Sequence, residues 1–590
     1  LTDSAPSTAF SFFNRQHRWL RGDFQTLPFA LFHLPFRKDR KKNPISPLSK
    51  YMIFSNVIRA LTPVFSLLAL FFSTLLSESQ CAVFLLFSFS YLLFPLVCTL
   101  LRTVRYVGRR FYSTVMQNVW QSICQTLYAL CSLAYNAQIS LDALIRVVYR
   151  ELFSQKKLLQ WVTAGEGEKK YAKKKGSALL LLYLYKALPS LAVAGLMLFY
   201  AEGGVVRLLS ASFLAFPFVS FFLSRPYKHQ NTVTEKEKEQ LLCYAKESFS
   251  YFEEFVTEKE HFLPPDNYQE LPVSAVAHRT SPTNIALYLL SVQAMQDLGL
   301  ADEKTTLDRL EKTLSTIEAL PKYRGHLYNW YDTRTLDLLG HPYISTVDSG
   351  NLVLSLIALK NALAGSSDPK AEELCKRVFV LIDRTDFSFL YNPKRRLLSI
   401  GYDPLENKQS ENCYDLLLSE ARSAYYFAIA KRQIPPECWS MPGRPITVRD
   451  GHLGVLSWSG TAFEYFMPAL FLPVYRNTLL YEALCFALYE QSNDRTEQLW
   501  GRSESGYFAF DNEMNYQYKA FGCSSLSLDP TVKNEDVLSP YSSFLTLTLS
   551  VKPALENIRR LEKAGAKGNY GFYEAMDFTA SRVGKGNAVI

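Results

Sequence analysis

Histidine is scarce in this chain, eight residues in 590, and no two stand at a metal-ligand spacing. There is no HExxH segment and no GxSxG elbow, which removes the zinc-hydrolase and serine-hydrolase readings. The ten cysteines are scattered singly, without a CxxC pair or a mixed Cys/His group. Several lie inside apolar stretches, so they read as reduced core thiols rather than a disulfide framework or a metal centre. What remains is carboxylate chemistry with no metal and no cofactor. Residues 1–20 lack the basic start, apolar centre and small-residue cleavage site of a signal peptide, and the chain is expected to be a fragment or an excised segment. Strand-like alternation is scarce and no fixed repeat period is found, which argues against a sheet fold and a solenoid.

What is present is unevenly distributed. Hydrophobic residues make up 48% and aromatics 14%, with long charge-free runs early and mixed amphipathic sequence later. A chain of this length exceeds a single hydrophobic core, so a membrane part followed by a globular part is expected. The net charge of +9 would suit nucleic acid, but the basic clusters at 37–42, 102–110 and 169–175 flank apolar runs. That placement fits a membrane surface, with a lipid bilayer rather than nucleic acid as partner. Four stretches are long enough to span: 52–77, 81–101, 178–200 and 207–224. The third carries Lys186, which must snorkel or face a partner. The short connections hold only Glu78 and Glu202, whereas the other flanks are basic, so both termini are expected in the cytoplasm. Residues 1–50 then form a cytoplasmic stub, 51–230 the membrane region, and 103–175 within it a cytoplasmic connector lying along the membrane surface.

From 235 to 590 the pattern changes to helices of ordinary globular length, expected at 284–298, 352–363, 415–430, 459–471, 479–489, 542–551 and 553–563. Alternating short and long connections suit an α/α toroid, an inner ring of helices wrapped by an outer one. The chemically unusual residues fall in the loops leading into these helices, which such a barrel gathers at one end. They include Trp330, Asp332 and Arg334; Asp348 and Asn351; Tyr414 and Asp415; Glu420 and Arg422; Trp458; Trp500 and Tyr507; and Tyr516 and Gln517. A pyranose presents apolar C–H faces and a rim of hydroxyls, so aromatic rings beside carboxylates and amides point to a sugar site.

The segments His17-Arg18-Trp19-Leu20-Arg21-Gly22-Asp23, 327–334, 345–351, 419–422, 457–464, 503–505, 516–522 and 570–575 carry a more specific likeness. Through them the chain resembles, over nearly its whole length, the middle portion of cyclic β-1,2-glucan synthases. The resemblance implies an all-α fold, transmembrane helical hairpins followed by an (α/α)6 glucoamylase-like toroid at 235–590. It implies an enzyme of the cytoplasmic (inner) membrane, multi-pass, with its catalytic domain on the cytoplasmic side. The implied activity is a retaining transglycosylase that closes linear β-1,2-glucan into rings, flanked in the parent enzyme by glycosyltransferase and phosphorylase-like domains. Residues 1–45 resemble the end of the transferase, but Arg15 stands where a Gln-x-x-Arg-Trp acceptor motif would place its Gln. Relatives continue past Glu574-Ala575-Met576-Asp577, so an element completing the barrel or its site is expected outside this sequence.

Glycosyl transfer with retention needs one carboxylate to attack the anomeric carbon and another to protonate the leaving oxygen. The candidates are Asp332, Asp348, Asp415, Glu420, Glu464, Glu504 and Glu574. The resemblance assigns Glu420 as acid/base and Glu504 as nucleophile, with the roles open to exchange. Glu464 reads equally as a sugar ligand or a buried glutamate capping a loop, and Glu574 is similarly ambiguous. Asp348 reads as an N-cap or a sugar ligand. A β-1,2-glucan hydrolase and a non-catalytic glucan-binding module are the alternative functions.

Overall fold

The computed structural model describes residues 6, 8–31, 42–104, 114–156, 176–201, 203–225, 233–476, 478–532 and 535–590. These divide near residue 230 into two compact units. The basic segments at 37–42, 102–110 and 169–175, Glu202, and the apolar stripe Leu158, Leu159 and Trp161 lie wholly or largely outside the described residues.

The first unit is helical: α1 Ala9–Thr26, α2 Pro47–Ser73, α3 Glu78–Val104, α4 Thr114–Cys131, α5 Leu133–Tyr149, α6 Ser177–Tyr200 and α7 Gly204–Leu223. Ser46 caps α2 by accepting from the Ser49 amide, and Pro47 takes the first-turn position where its missing N–H costs nothing. Four helices are long and apolar enough to cross a membrane, Pro47–Ser73, Ser79–Val104, Ser177–Tyr200 and Gly204–Leu223. They fall where the hydropathy runs placed them. Each carries one internal proline, Pro63, Pro95, Pro189 and Pro217. Large apolar side chains stand on their outsides, Phe87, Phe199 and Leu208 being 76%, 81% and 74% exposed, a surface water does not stabilise. Lys186 is exposed and sets its ammonium 5.8 Å from the Tyr185 ring centre. The connector was expected along a membrane surface, yet α5 is packed inside the unit. Its Tyr135, Ile139, Ala143 and Val147 are buried with Phe13 of α1, Val57 of α2 and Phe216 of α7, and Tyr135 stacks on Phe216 at 4.6 Å. Apolar residues three and four apart on α5 made one stripe, and neighbouring helices rather than lipid cover it.

The second unit alternates helices of two kinds. Buried all round are α9 Pro282–Asp297, α11 Thr346–Leu363, α13 Arg422–Ala430, α14 Ala462–Phe466 and α16 Tyr541–Thr546. Between them come one-sided helices: α8 Glu235–Phe255, α10 Glu303–Ala319, α12 Pro369–Arg384, α15 Leu479–Asn493 and α17 Val551–Lys563. On α12 only Ala371, Leu374, Val378 and Ile382 are buried, at spacings of three and four. The first set forms an inner ring and the second an outer one, five of each among the described residues, with α13 passing to α14 through a 3₁₀ turn at Pro436–Ser440 and a hairpin in place of an outer helix; the arrangement is that of an (α/α)6 toroid.

The loops entering the inner helices carry short antiparallel ladders. One pairs β1 Tyr268–Gln269 with β2 Ala275–Val276; the longest pairs β3 Glu504–Phe510 with β4 Tyr516–Ala520, Glu504 opposite Ala520 and Gly506 opposite Tyr518. The helix expected at 415–430 starts only at Arg422. Before it the chain is extended, because the Leu417 amide bonds to Gly443 O and the Gly443 amide to Asp415 O. The helix expected at 459–471 is likewise cut to Ala462–Phe466 with a 3₁₀ turn at Met467–Leu470, where Pro468 interrupts it.

Candidate active site

The site forms where the N-terminal ends of α11 and α13 meet. Gly350 lies against the backbone of Ala424, and a Cβ there would stand 2.8 Å from the Ala424 nitrogen. This approach sets Asp348, two residues before Gly350, beside Glu420, in the turn that leads into α13. Ser345 caps α11 by accepting from the Asp348 amide at 3.2 Å, so Asp348 is not the cap. Its carboxylate accepts instead from Thr283 Oγ1 at 2.6 Å and Asn329 Nδ2 at 2.9 Å.

Glu420 is crowded by acids. Burial, and after it the charges of Glu504, Asp348 and Glu464, push its carboxyl well above the usual carboxylate range. Glu504, at the start of β3, is raised to about 7 by burial and by Glu464, while the Tyr518 hydroxyl, 3.5 Å from its Oε2, pulls the other way. Tyr541 donates to the Glu504 carbonyl oxygen at 2.7 Å. Burial together with these carboxylates drives the phenols of Tyr414, Tyr518 and Tyr541 upward. Glu574 accepts from the Gly506 amide at 2.9 Å and is raised by burial and then by Asp266. Asp266 is held by Asn284 Nδ2 at 2.9 Å and Arg279 Nη2 at 3.0 Å, and that guanidinium lies 5.3 Å from the Trp330 ring centre. Glu420 and Glu504 thus belong to one acidic cluster, with the phenols of Tyr414, Tyr518 and Tyr541 close enough to feel their charge.

Other sequence candidates are engaged differently. Glu464 accepts from Ser457 Oγ at 2.8 Å and from the amides of Ser459 and Thr461, forming a capping box with Thr461 at the start of α14. Its carboxylate is committed to that loop and acts on the site as a charge. Arg422 is buried and donates to the carbonyls of Ser419, Glu464 and Tyr465; burial lowers its guanidinium to about 10. It ties α13 to α14 rather than facing solvent. Trp500 is 3% exposed, a core side chain. Asp332 accepts from the amides of Arg334 and Thr335, a turn, and Arg334 projects into solvent. Asn351 is buried in α11, where its Nδ2 reaches Thr283 Oγ1 at 3.3 Å. Asp415 is exposed. Tyr507 pairs across the hairpin with Gln517, hydroxyl to Oε1 at 2.7 Å. Among the described residues no group of three or more His, Cys, Asp or Glu is arranged to hold a metal ion.

The sequence reading passed over Asp266, Thr283 and Tyr541. Nothing local marks them, for Tyr541 follows a proline without a motif and Asp266 gains its partners from 13 and 18 residues on. Only the barrel unites them.

Residues 412–589, which hold Glu420, Glu504 and Glu574, match the family model described as "Putative glucoamylase". Cyclic β-(1,2)-glucan synthase NdvB of Rhizobium meliloti (strain 1021) is 32% identical over 97% of this chain. The resemblance read from the sequence is borne out. The chain spans 25% of the length of that relative. Among solved structures, the endo-β-1,2-glucanase of Talaromyces funiculosus with β-1,2-glucan is 13% identical, covering 60% of this chain and 83% of its own, with a TM-score of 0.50. The endo-β-1,2-glucanase of Chitinophaga pinensis is 17% identical over 59% of this chain and 88% of its own, with a TM-score of 0.47. At 13% identity the likeness to the Talaromyces funiculosus enzyme concerns the fold alone, which agrees with the inner and outer helices. Asp348 lies outside the matched segment and reaches the site from the preceding helical pair.

Proposed function

We propose that the second unit is a carbohydrate-active enzyme of β-1,2-glucan, a retaining transglycosylase that closes the linear polymer into a ring. The observation that carries this reading is the buried pair Glu420 and Glu504 in one acidic cluster with the tyrosines Tyr414, Tyr518 and Tyr541. Burial and the charge of Glu504 hold the Glu420 carboxyl above the usual carboxylate range, which suits an acid that keeps its proton beside an ionised partner. The Tyr518 hydroxyl favours the charged form of Glu504, which suits the nucleophile, and the resemblance to the synthase family assigns the same roles.

In the first step a Glu504 carboxylate oxygen attacks C1 of an internal glucosyl residue. The C1–O2 bond to the next glucose breaks and Glu420 gives its proton to the departing O2. The reducing-end fragment leaves, and the rest of the chain stays on Glu504 as an ester. In the second step the 2-hydroxyl at the chain's own non-reducing end attacks C1, Glu420 takes that proton, and Glu504 is released. Two inversions restore the β link, and the ring has no reducing end. Water in place of that hydroxyl would make the same site a hydrolase.

The detergent-solubilised chain incubated with linear β-1,2-glucan tests this. Products lighter than linear glucan by one water, with no gain in reducing ends, are expected by mass spectrometry and a reducing-end assay. A gain in reducing ends would make the enzyme a glucanase. A folded protein that leaves the polymer unchanged would make it a binding module. In the same reading the first unit anchors the enzyme in the inner membrane with the toroid on the cytoplasmic side, beside the transferase and phosphorylase-like domains of a longer protein.

A further inference from the structure

The hydrogen bonds behind Glu420 run in one direction. Asn351 Nδ2 can only donate, so Thr283 Oγ1 accepts from it at 3.3 Å and turns its own proton toward Asp348 Oδ1 at 2.6 Å. Asn329 Nδ2, again a pure donor, takes Asp348 Oδ2 at 2.9 Å. Asp348 is therefore an acceptor at both oxygens, held by neutral donors and, among the described residues, by no ion pair. It stands in the first turn of α11, where the N-terminal end of the helix favours a negative charge. The Gly350–Ala424 contact fixes this carboxylate beside the turn that carries Glu420.

The other groups that face Glu420 are Glu504 and Tyr518 from the β3–β4 hairpin, Glu464 from α14, Tyr414 from the extended segment before α13, and Tyr541 from α16. Each of the other two acids has a separate task. Glu464 is bound into its capping loop, and Glu504 changes charge during the reaction. Asp348 is the one whose partners all lie behind the site.

We propose that Asp348 is a positioning residue rather than a sugar ligand: its fixed negative charge keeps the proton on Glu420 until the leaving oxygen takes it. This deepens the transglycosylase reading and rests on Glu420 being the acid. When the ester forms, the charge on Glu504 is consumed, and Asp348 and Glu464 remain to oppose a second charge close to Glu420. Glu420 must nevertheless accept a proton in the second step, and a neighbouring anion favours that acceptance.

The test is the pH profile of kcat/KM on linear β-1,2-glucan for the full chain and for Asp348→Asn, Asp348→Glu, Thr283→Val, Glu420→Gln and the Asp348→Asn/Glu420→Gln pair. Asp348→Asn is expected to move the basic limb down by about one pH unit or more, as the loss of a like charge does. Asp348→Glu, which keeps the charge, should restore the limb, and Thr283→Val should move it a smaller distance in the same direction. In the Glu420→Gln background, Asp348→Asn should change kcat/KM little, because its effect passes through Glu420. A limb that stays put in Asp348→Asn and Thr283→Val, with a raised KM, would overturn the proposal and make Asp348 a sugar ligand. Should Asp348→Asn fail to fold, Thr283→Val decides alone. A wild-type chain inert toward β-1,2-glucan would defeat the functional reading itself, a separate outcome.

Discussion

Glu504 carries a cost that its role explains. Its carboxyl is raised from the ordinary value to about 7 in the folded unit, so the fold prefers the protonated form. The stability linked to this group is fully present below the unfolded value and is lost as pH rises through about 7. A neutral amide of the same shape removes that loss. Glu504→Gln is therefore expected to stabilise the second unit by about 1–3 kcal/mol at pH 8 and to change little at pH 4, read by thermal unfolding at the two values. The same substitution should abolish turnover, and in the wild type kcat/KM should fall as pH drops below about 7. Equal unfolding temperatures at pH 8 would mean Glu504 is not held in an environment hostile to its charge. Arg422 makes the contrasting case. It was read as a carboxylate or hydroxyl binder, but its Nε and Nη2 donate to the main-chain carbonyls of Ser419, Glu464 and Tyr465, which gives it a role in joining α13 to α14.

At the scale of elements, two inner helices must touch backbone to backbone for the acids to meet. Gly350 makes that possible: an added Cβ would stand 2.8 Å from the Ala424 nitrogen and 2.9 Å from its Cβ, with no flexible side chain to yield. Gly350→Ala is expected to push α11 and α13 apart, costing about 1–3 kcal/mol by overpacking and lowering kcat at least tenfold while KM changes less. Urea unfolding and steady-state kinetics on one preparation check this, and wild-type kcat in a destabilised variant would show that the Asp348–Glu420 spacing is not critical. How much of this was legible follows from what fixes each element. The outer helices announce themselves through spacings of three and four, as on α12, because only one face is buried. The inner helices showed as apolar stretches whose ends were blurred, since a helix buried all round has no polar face to mark its limits. The β3–β4 hairpin escaped notice because distant groups stabilise it: Glu574 takes the Gly506 amide and Asp577 the Phe508 amide, 68 and 69 residues away. Glu420 could be chosen as a carboxylate in a polar loop, whereas Thr283 and Asn329, which orient Asp348, could not be weighed before the toroid had brought three loops together.

For the whole molecule the open issue is which side of the membrane holds the toroid. Two hairpins of apolar helices, with connections holding Glu78 and Glu202 and basic segments on the other flanks, lead to the expectation that residues 1–50 and 235–590 share one side, the cytoplasmic one by the positive-inside rule, while α5 packs among the spans. The chain supplies its own reporter. Cys243 in α8 is the exposed cysteine of the second unit. A membrane-impermeant maleimide added to sealed right-side-out vesicles should not label it, and lysis should expose it, with Cys243→Ser identifying the signal. Cys243 shares its proton with Glu247, which raises the thiol and slows the reaction, so the labelling is run at pH 8 or above for long enough to saturate it after lysis. Label on Cys243 before lysis would place the toroid outside, where its linear polymer would have to be exported before it could be closed.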